Sequence, residues 1–332
     1  MKSVTLVDSV VHSSQTNSMN SADVFKSSNE SKIQAVDSSR ILERKARVKV
    51  GLPISTEKLI PCLQNKNTSL SPPQISSRNE RKTLVTYVYF ENEQSQMNLD
   101  FFVKNGVVCD ESDDCDVQYN FVIKGGKCSA DIPSCKNIKI FKTANEGYDF
   151  GGYSYSLHSV NIADFEYFIF INDSVVGPFV PRYIPKSEWY KHFVRLISDK
   201  VKLVGPSINR KQYQSAPKHV QSMAFATDAK GLGLLINARI FDLERNIDVM
   251  KRHGKWTFIQ TFEVGMSGVI LNNGYQIASF MQVENNNVEL RHADVHFQNR
   301  YFNSTLNPIE IMFVKNNRIG GTTLQNYVAW NS

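Results

Sequence analysis

The sequence lacks the glycine-rich motifs that mark the common nucleotide-binding folds. No G-x-G-x-x-G follows the first predicted strand at residues 83–90, so a dinucleotide or S-adenosylmethionine pocket of the usual kind is not expected. The patterns G-x-x-x-x-G-K-[ST] and G-x-S-x-G are also missing, which excludes a P-loop and a hydrolase nucleophile elbow. Any nucleotide must therefore bind through other residues.

Long apolar runs are missing as well. No stretch reaches the roughly 20 apolar residues that are needed to span a bilayer. The apolar segment near the first residue is too short for a signal peptide. We therefore expect a cytoplasmic protein.

A concentrated basic patch is also absent. The chain carries 38 lysines and arginines against 32 acidic residues, for a net charge of +6, and these charges are spread along it. Because nucleic-acid binding requires a concentrated basic footprint, no nucleic-acid partner is expected. The mildly basic balance suits small anions such as nucleoside diphosphates.

Closely spaced cysteine pairs are likewise absent. The five cysteines are Cys62, Cys109, Cys115, Cys128 and Cys135. None of their spacings is the C-x2-C of a structural zinc site. In a reducing cytoplasm free thiols are the expected state, with a disulfide as the first alternative and a zinc site as the second.

The first 82 residues differ in composition from the rest of the chain. They are rich in Ser, Asn, Gln and Lys, and such a segment buries too little apolar surface to offset its ordering entropy. We predict a largely disordered polar arm over 1–82, with a linker at 69–82. Within the arm, residues 40–52 could form a basic helix that contacts a membrane surface or a partner, or a solvated charged segment.

From Thr83 onward, strand patterns alternate with helical ones, which predicts an α/β fold with a mainly parallel sheet flanked by helices. The predicted strands are 83–90, 117–126, 137–144, 165–173 and 201–209. Helices are predicted at 91–107 and 151–161. The folded domain is expected to span 83–321 and to be followed by a tail at 322–332. Ligands of such sheets bind beyond the carboxyl ends of the strands, so the residues there are the candidates for a site.

The stretch NEGYDFGG at 145–152 lies at one of these strand ends. Its glycines permit positive φ and let the backbone approach a ligand closely, and Asp149 could accept hydrogen bonds from ribose or sugar hydroxyl groups. The N–H groups that begin the following helix attract phosphate. The alternative is a tight turn in which Asp149 caps the helix.

A second strand end carries Asn172, Asp173 and Ser174. These residues follow the apolar segment FEYFIFI, and an acid that emerges from a buried strand is placed to bind a divalent cation. Magnesium or manganese bridging a diphosphate needs only one or two protein carboxylates. The alternative is a turn that only ends the strand.

A resemblance to a known family is carried by seven segments in this order: TYVYFENE, NEGYDFGGYSYSL, FEYFIFINDSVVGPF, VKLVGPSIN, HVQSMAFATD, FEVGMSGVILNNGYQIA and NPIEIMFVKNNR. The chain resembles a group of glycosyltransferases that are similar to the rhamnan-synthesis-type enzymes of polysaccharide biosynthesis. The resemblance covers residues 83 to about 320. It implies a GT-A fold, which is Rossmann-like, and the binding of a nucleotide-sugar donor and a saccharide acceptor.

The resemblance assigns donor-binding roles by position. The end of the first strand would contact the nucleoside through Thr86, Tyr87, Tyr89 and Glu91. The loop before the second helix would hold the nucleotide through Asn145, Asp149 and Gly151. Asn172-Asp173-Ser174 replaces the metal-binding D-x-D of GT-A enzymes. That departure leaves Asp173 as the expected ligand of Mn²⁺ or Mg²⁺ and indicates weak metal binding or donor binding without a metal.

Further roles follow from the resemblance in the second half of the chain. Glu263 is the candidate general base, or only a favourable charge near the start of a helix. His296 or His292 would complete the metal site. Lys315 and Arg318 would neutralise the diphosphate leaving group, or they belong to a solvated tail. The acceptor would lie at the start of a strand, at His219, Gln221 and Ser222.

The sequence therefore predicts an enzyme, a hexosyl- or deoxyhexosyltransferase. It would move a sugar from a UDP-, GDP- or dTDP-linked donor to a hydroxyl of a glycan or lipid-linked acceptor, in polysaccharide or glycoprotein glycan synthesis. Inversion is expected if Glu263 is the base. The alternative is a non-catalytic carbohydrate-binding or scaffold protein with a degenerate transferase fold, which the incomplete D-x-D favours.

Overall fold

The structure is a computed structural model that describes residues 82–112, 115–209, 218–281 and 294–331. All of them belong to one compact unit, Pro73–Ser332. Except for Lys82, the predicted arm with its linker and its basic helix lies outside the described residues, and so does His292. Each helix in the described ranges is too short or too polar to cross a membrane.

A seven-stranded sheet forms the centre of the unit, in the order β10-β6-β9-β4-β1-β2-β3. The strands are β1 Thr83–Phe90, β2 Val117–Lys124, β3 Ile138–Thr143, β4 Tyr167–Asn172, β5 Val175–Val176, β6 Val201–Gly205, β7 Ile208–Asn209, β8 His219–Val220, β9 Ala224–Asp228, β10 Gln276–Ser279 and β11 Val314–Lys315. Within the sheet, β9 runs antiparallel to β4 and β6, and the other neighbours are parallel. The prediction of a mainly parallel α/β sheet is confirmed.

Helices cover both faces of this sheet. They are α1 Glu93–Gly106, α2 Tyr148–His158, α3 Trp189–Leu196, α4 Ala229–Asn237, α5 Leu243–Phe258, α6 Gly265–Asn272, α7 Pro308–Ile311 and α8 Gly321–Asn331. A π-helical segment, Ile259–Val264, joins α5 to α6. The predicted helix at 151–161 begins three residues early, at Tyr148, because Gly147 takes a left-handed φ of 66° just before it.

The two faces of β1 pack against different helices because side chains alternate along a strand. Tyr87 lies on one face with Phe102 of α1, their ring centroids 4.8 Å apart, and with Trp189 of α3 in the same core cluster. Val88 lies on the other face, in a cluster with Tyr153 of α2. On this second face, the carboxyl end of β1 is open to solvent, so a ligand can bind there.

The last helix corrects the predicted domain boundary. Residues 322–332 were expected to form a tail, but α8 extends to Asn331 and belongs to the fold. Its Tyr327 ring lies 6.1 Å from the ring of Phe179, and Lys186 Nζ donates a hydrogen bond of 2.6 Å to the carbonyl oxygen of Asn331. The sequence of this helix has neither a charged residue nor a pronounced apolar face, so local pattern did not predict it.

The cysteines also differ from the expectation of free thiols. Cys109 and Cys135 form a disulfide with a Cα–Cα distance of 5.6 Å, which is within the usual range. Asn137 brings the two loops together, since its side chain accepts from the Asp110 amide at 3.0 Å and donates to the Val108 carbonyl at 2.8 Å. Free thiols are confirmed at two positions, Cys115 and Cys128.

Gly152 of α2 sits where no side chain fits. A Cβ there would lie 2.6 Å from Val88 Cγ2 and 2.7 Å from Cγ1, both on the rigid strand β1. We expect Gly152→Ala to lower the free energy of unfolding by about 1–3 kcal/mol, the usual cost of overpacking a core. Urea denaturation followed by circular dichroism measures this loss.

Gly233 of α4 is the matched control for that substitution. It also lies within a helix, but an added Cβ would meet nothing within 4 Å. Gly233→Ala is expected to raise the free energy of unfolding by about 0.5–1 kcal/mol, because alanine is the better helix former. Equal destabilisation by both substitutions would show that crowding against Val88 is not the cause of the loss at Gly152.

Candidate functional site

A cavity of about 570 Å³ opens at the carboxyl ends of β1 to β4. We call it the strand-end cavity. This is the position at which ligands bind to parallel α/β sheets, and its volume is within the range of small-molecule sites. Its lining residues are Val88, Phe90, Lys124, Asn145, Glu146, Gly147, Tyr148, Asp149, Asp173, Ile247, Met250 and Lys251.

Two acids predicted from separate strand ends meet in this cavity. Asp149 comes from the first turn of α2 and Asp173 follows β4. The Asp173 carboxylate is fixed by the backbone amide of Phe90, which donates to Oδ2 at 2.6 Å. The loops after β3 and β4 therefore converge, as the sequence predicts.

Asn172 connects the end of β4 to the first turn of α2 through its side-chain amide. Its Nδ2 donates a hydrogen bond of 2.8 Å to Asp149 Oδ2, and its Oδ1 accepts from the Ser174 hydroxyl at 2.6 Å. An aspartate at position 172 would set one carboxylate against another, which costs energy in a partly buried site. In this chain, Asp149 supplies the second carboxylate of the cavity from α2.

The acids of the site are held in an environment that disfavours their charged forms. Burial, followed by repulsion from Asp149, raises the pKa of Asp173 to about 6, although the Phe90 amide lowers it in part. Burial also raises the pKa of Asp149, against the hydrogen bond from Asn172 and the charge of Lys124. Such crowded carboxylates favour the approach of a cation or of a positively polarised ligand group.

Lys124 is a residue of the site that the sequence analysis missed. It ends β2, and its Nζ donates to the carbonyl oxygen of Glu146 at 2.7 Å and to that of Tyr148. Burial lowers its pKa to about 8, while the neighbouring charges of Asp149 and Asp173 oppose the shift. A lysine that ends an apolar strand just before two glycines was the available signal.

A second cavity, of about 300 Å³, contains the candidate base and is called the Glu263 cavity. The Ser222 hydroxyl donates a hydrogen bond of 2.6 Å to Glu263 Oε2. Six residues predicted for the base, the acceptor and the diphosphate line this one cavity: His219, Gln221, Ser222, Glu263, Lys315 and Arg318. Their convergence from three separate segments of the chain was not evident from local patterns.

The charges of the two cavities act on one another. Burial raises the pKa of Glu263, and the negative charge of Asp149 raises it further. Lys315 and Lys255 lower the pKa of both acids. The buried hydroxyl of Tyr153 has no hydrogen-bond partner in the described part of the chain. Burial raises its pKa, and the charges of Asp149, Asp173 and Glu263 raise it further. The two cavities are therefore electrostatic neighbours.

Three of the predicted nucleoside contacts on β1 do not line the strand-end cavity: two lie on the opposite face of the strand, and the third is buried. Tyr87 and Tyr89 are buried on the face opposite to the strand-end cavity, among the side chains of α1 and α3. Thr86 is fully buried and shares a hydrogen bond of 2.7 Å with Ser156. Because side chains alternate, the β1 residues that do reach the cavity are Val88 and Phe90.

Glu91 is also engaged elsewhere. Its carboxylate accepts from the Ser129 hydroxyl at 2.5 Å, from the Ser129 amide at 3.0 Å and from the Tyr89 hydroxyl at 2.7 Å. These hydrogen bonds, that from the Ser129 hydroxyl above all, lower its pKa. Glu91 thus fixes the loop after β2 and does not line the strand-end cavity.

Gly151 does not line that cavity either. A Cβ at this position would clash with the Glu146 carbonyl oxygen and lie 3.0 Å from Leu243 Cδ1, so the glycine serves close packing of α2. Ser174 is exposed and bonded to Asn172. Asn145, in contrast, lines the cavity as predicted.

His296 is not placed as a metal ligand. It lies in a turn rather than a strand, its ring is buried, and its Nε2 is hydrogen-bonded to the Ser207 hydroxyl. Burial, reinforced by the charges of Lys315 and Arg318, lowers its pKa to about 3. The position of His296 therefore does not support its predicted role in a metal site.

The carboxylates of the strand-end cavity fit a hard cation only in part. Asp149 and Asp173 offer the oxygen ligands that Mn²⁺ or Mg²⁺ prefers, and such ions commonly use one or two protein carboxylates with phosphate oxygens. Across the described ranges, the one gathering of three metal-binding side chains is Cys109, Glu111 and Cys135, two of which are joined in the disulfide. The strand-end cavity thus offers two carboxylates to a metal ion, and diphosphate oxygens would have to supply further ligands. Among the described residues, no group of three metal-binding side chains lies in this cavity.

The geometry therefore unites Asn145, Asp149 and Asp173 in one cavity and Glu263 with the predicted acceptor and diphosphate residues in another. Function has to be argued from these two cavities. Compared with protein-family models and with curated proteins, the chain matches neither a family nor a protein.

Proposed function

We propose that the protein is a glycosyltransferase of the GT-A type. It transfers a sugar from a nucleoside-diphosphate donor to a hydroxyl of a glycan acceptor. The observation that carries the proposal is the convergence of Asp149 and Asp173 in one cavity beside a second cavity that contains Glu263. Group transfer between two bound molecules requires a donor site and an acceptor site that lie close together.

The strand-end cavity is the proposed donor site. Asn145 and Asp149 offer hydrogen-bond acceptors to the hydroxyl groups of the nucleoside or the sugar. Asp173 and Asp149 would hold Mn²⁺ or Mg²⁺ together with the diphosphate oxygens, and the metal would supply positive charge to the leaving group. Lys124 keeps the loop of Asp149 in place through its bonds to two backbone carbonyls.

Glu263 is the proposed general base. Burial raises the pKa of Glu263 towards neutral pH, and a general base is most effective when its pKa is near the working pH. The acceptor oxygen bonds to the anomeric carbon as the bond from that carbon to the diphosphate breaks. The acceptor proton passes to Glu263, and the nucleoside diphosphate leaves with the electron pair. One displacement of this kind inverts the anomeric centre.

The cations near both cavities stabilise the charge that develops on the leaving group. Lys315 and Lys255 act on Asp149 as well as on Glu263, so they lie near the boundary of the two cavities. Positively charged groups fixed near a developing negative charge lower the activation barrier. They would share this task with a weakly held metal.

A carbohydrate-binding protein without catalysis is the second candidate. The Asn172-Asp173-Ser174 sequence and the absence of a three-ligand carboxylate cluster from the described residues favour it. Such a protein would bind saccharides and would turn over no donor.

Thermal unfolding with a panel of UDP-, GDP- and dTDP-sugars, each with and without Mn²⁺, tests the donor site. A true donor at a hundredfold excess over its Kd is expected to stabilise the protein by about 2.7 kcal/mol. Asp149→Ala should abolish the shift, because it removes a carboxylate from the cavity, whereas the exposed control Asp164→Ala should keep it. If no nucleotide sugar raises the midpoint, the proposed donor site is wrong, and stabilisation without any donor turnover supports the second candidate.

A further inference from the structure

Trp256 is a large exposed aromatic side chain in the wall of the Glu263 cavity. It is 65% exposed, yet it lines the same cavity as Glu263. Exposing an indole to water is unfavourable, and tryptophan is enriched where one face of a binding site is apolar and the rest is wet. An exposed indole in the wall of a cavity offers a flat apolar surface on which a ligand can pack.

The backbone presents Trp256 together with the candidate base. The helix is broken at Gly254, whose φ of 78° and ψ of 178° are not helical. A new helical run then begins and passes into the π-helical segment Ile259–Val264. Within this run Trp256, Gln260 and Glu263 face the same cavity. Short π-helical segments occur frequently at functional sites.

Asn209 provides a second, independent sign of a ligand. Its side chain is only 6% exposed and lines the Glu263 cavity, and its Oδ1 has no hydrogen-bond partner among the described residues. A buried carbonyl oxygen without a partner costs free energy unless a donor reaches it. The β7–β8 pairing sets Asn209 opposite His219, so two polar side chains enter the cavity from this side.

We infer that the Glu263 cavity binds one saccharide unit of the acceptor, with Trp256 as the stacking platform and Asn209 as a hydroxyl-binding residue. A pyranose ring has an apolar C–H face and a rim of hydroxyl groups. The indole would cover the face, and Asn209 Oδ1 would accept a hydrogen bond from one hydroxyl. The inference rests on the proposed function, because it names the class of acceptor for the same site.

Polar chemistry around the ring favours a saccharide over an apolar partner. The cavity presents side-chain amides at Asn209, Gln221 and Gln260 and the bonded pair Ser222–Glu263. Amides and carboxylates can donate to or accept from sugar hydroxyls. The volume of about 300 Å³ lies at the lower limit of ligand sites, which suits a single sugar ring better than a long chain.

Tryptophan fluorescence tests binding without any knowledge of the donor. Trp330 is 64% exposed and so provides a matched control, while Trp189 is buried. The full chain is titrated with methyl glycosides of glucose, galactose, mannose, rhamnose and N-acetylglucosamine, with and without UDP, GDP or dTDP. A saturable change is expected in the wild type and in Trp330→Phe, and none in Trp256→Phe.

Kinetics then test the role of the ring. With a glycoside that accepts sugar, Trp256→Ala should raise the acceptor KM by about 5- to 150-fold, the effect of losing one stacking ring. The kcat at saturating acceptor and the donor Kd should change little. Asn209→Leu should raise the same KM, and Trp256→Phe should restore part of the affinity.

The outcomes separate this inference from the proposed function. It is overturned if no glycoside changes the signal or if the change persists in Trp256→Phe. Donor stabilisation without a saccharide signal would keep the transferase and remove the acceptor site. A saccharide signal without donor binding would keep the site and indicate a carbohydrate-binding protein.

Discussion

Glu263→Gln is expected to lower the transfer rate by about 10²–10⁴-fold, the usual contribution of general-base assistance. Glutamine has nearly the same shape and can still accept the hydrogen bond from Ser222. The fold and the donor affinity should therefore be retained. The glutamine amide cannot accept the proton of the acceptor hydroxyl, so the transfer step is slowed. Initial rates at saturating donor and acceptor measure the loss.

The pH profile distinguishes a base from a positioning residue. Glu263 acts as a base only when ionised, and its pKa lies above the usual value for a glutamate because of burial. The wild-type kcat should therefore fall as the pH is lowered through that raised pKa. The variant should lose the part of this fall that Glu263 causes and keep the part that Asp173 causes. Glu188→Gln, a half-exposed control that precedes α3 and is paired with Lys191, should behave like the wild type. A loss of less than tenfold in Glu263→Gln would remove the residue as the base.

Asp173→Asn is expected to reduce donor turnover by about 10²–10³-fold, as the loss of one preorganised electrostatic group does elsewhere. The same substitution should stabilise the fold at neutral pH. Asparagine retains an oxygen that can accept from the Phe90 amide, which donates to Asp173 at 2.6 Å. The substitution also removes a carboxylate whose charge is disfavoured by burial and by the nearby charge of Asp149.

The sign of this stability effect follows from the pKa. The Asp173 pKa is about 6 in the folded protein, against about 3.9 for an unperturbed aspartate. The folded state thus binds the proton more tightly, so the stability of the wild type falls as the pH rises from about 4 to 6. Asp173→Asn should exceed the wild type in unfolding midpoint at pH 7 and equal it below about pH 4.

Urea denaturation at several pH values measures this crossing. Asp164→Asn, at an exposed position with an ordinary side-chain hydrogen bond to Asn161, is the matched control and should leave the pH dependence unchanged. If Asp173→Asn is less stable at pH 7 and turns over donor normally, Asp173 is a structural turn residue and the donor site lies elsewhere.

The main strands could be predicted because each is an apolar run with a distinct end. β1 begins and ends as expected, and the acids after β3 and β4 share a cavity because the carboxyl ends of parallel strands meet at one edge. Local pattern was sufficient here, since burial of both sheet faces leaves few other readings of TLVTYVYF or YFIFIN. The sequence Asn172-Asp173-Ser174 marked the strand end, but the hydrogen bond from Asn172 to Asp149 could not be predicted from it.

Side-chain direction and long-range contacts were not predictable in the same way. A strand shows which residues share a face but not which face is open to a ligand, so Tyr87 and Tyr89 were chosen in place of Val88 and Phe90. The disulfide between Cys109 and Cys135 depends on a loop contact across 26 residues. Such pairings follow from tertiary structure, and cysteine spacing alone does not determine them.

The π-helical segment has a consequence for how this site tolerates changes in length. A wider turn takes up one residue more than an α-helical turn, so that Trp256 and Glu263 line a cavity while Met266 and Ile270 beyond the segment stay in the core. Losing a single residue from Ile259–Val264 would rotate one side relative to the other by about 100°, the angle per residue of an α-helix. Either the core contacts of α6 or the arrangement of Trp256 and Glu263 in the Glu263 cavity would then be lost. The length of this segment is therefore required both for the proposed chemistry and for the packing of the fold.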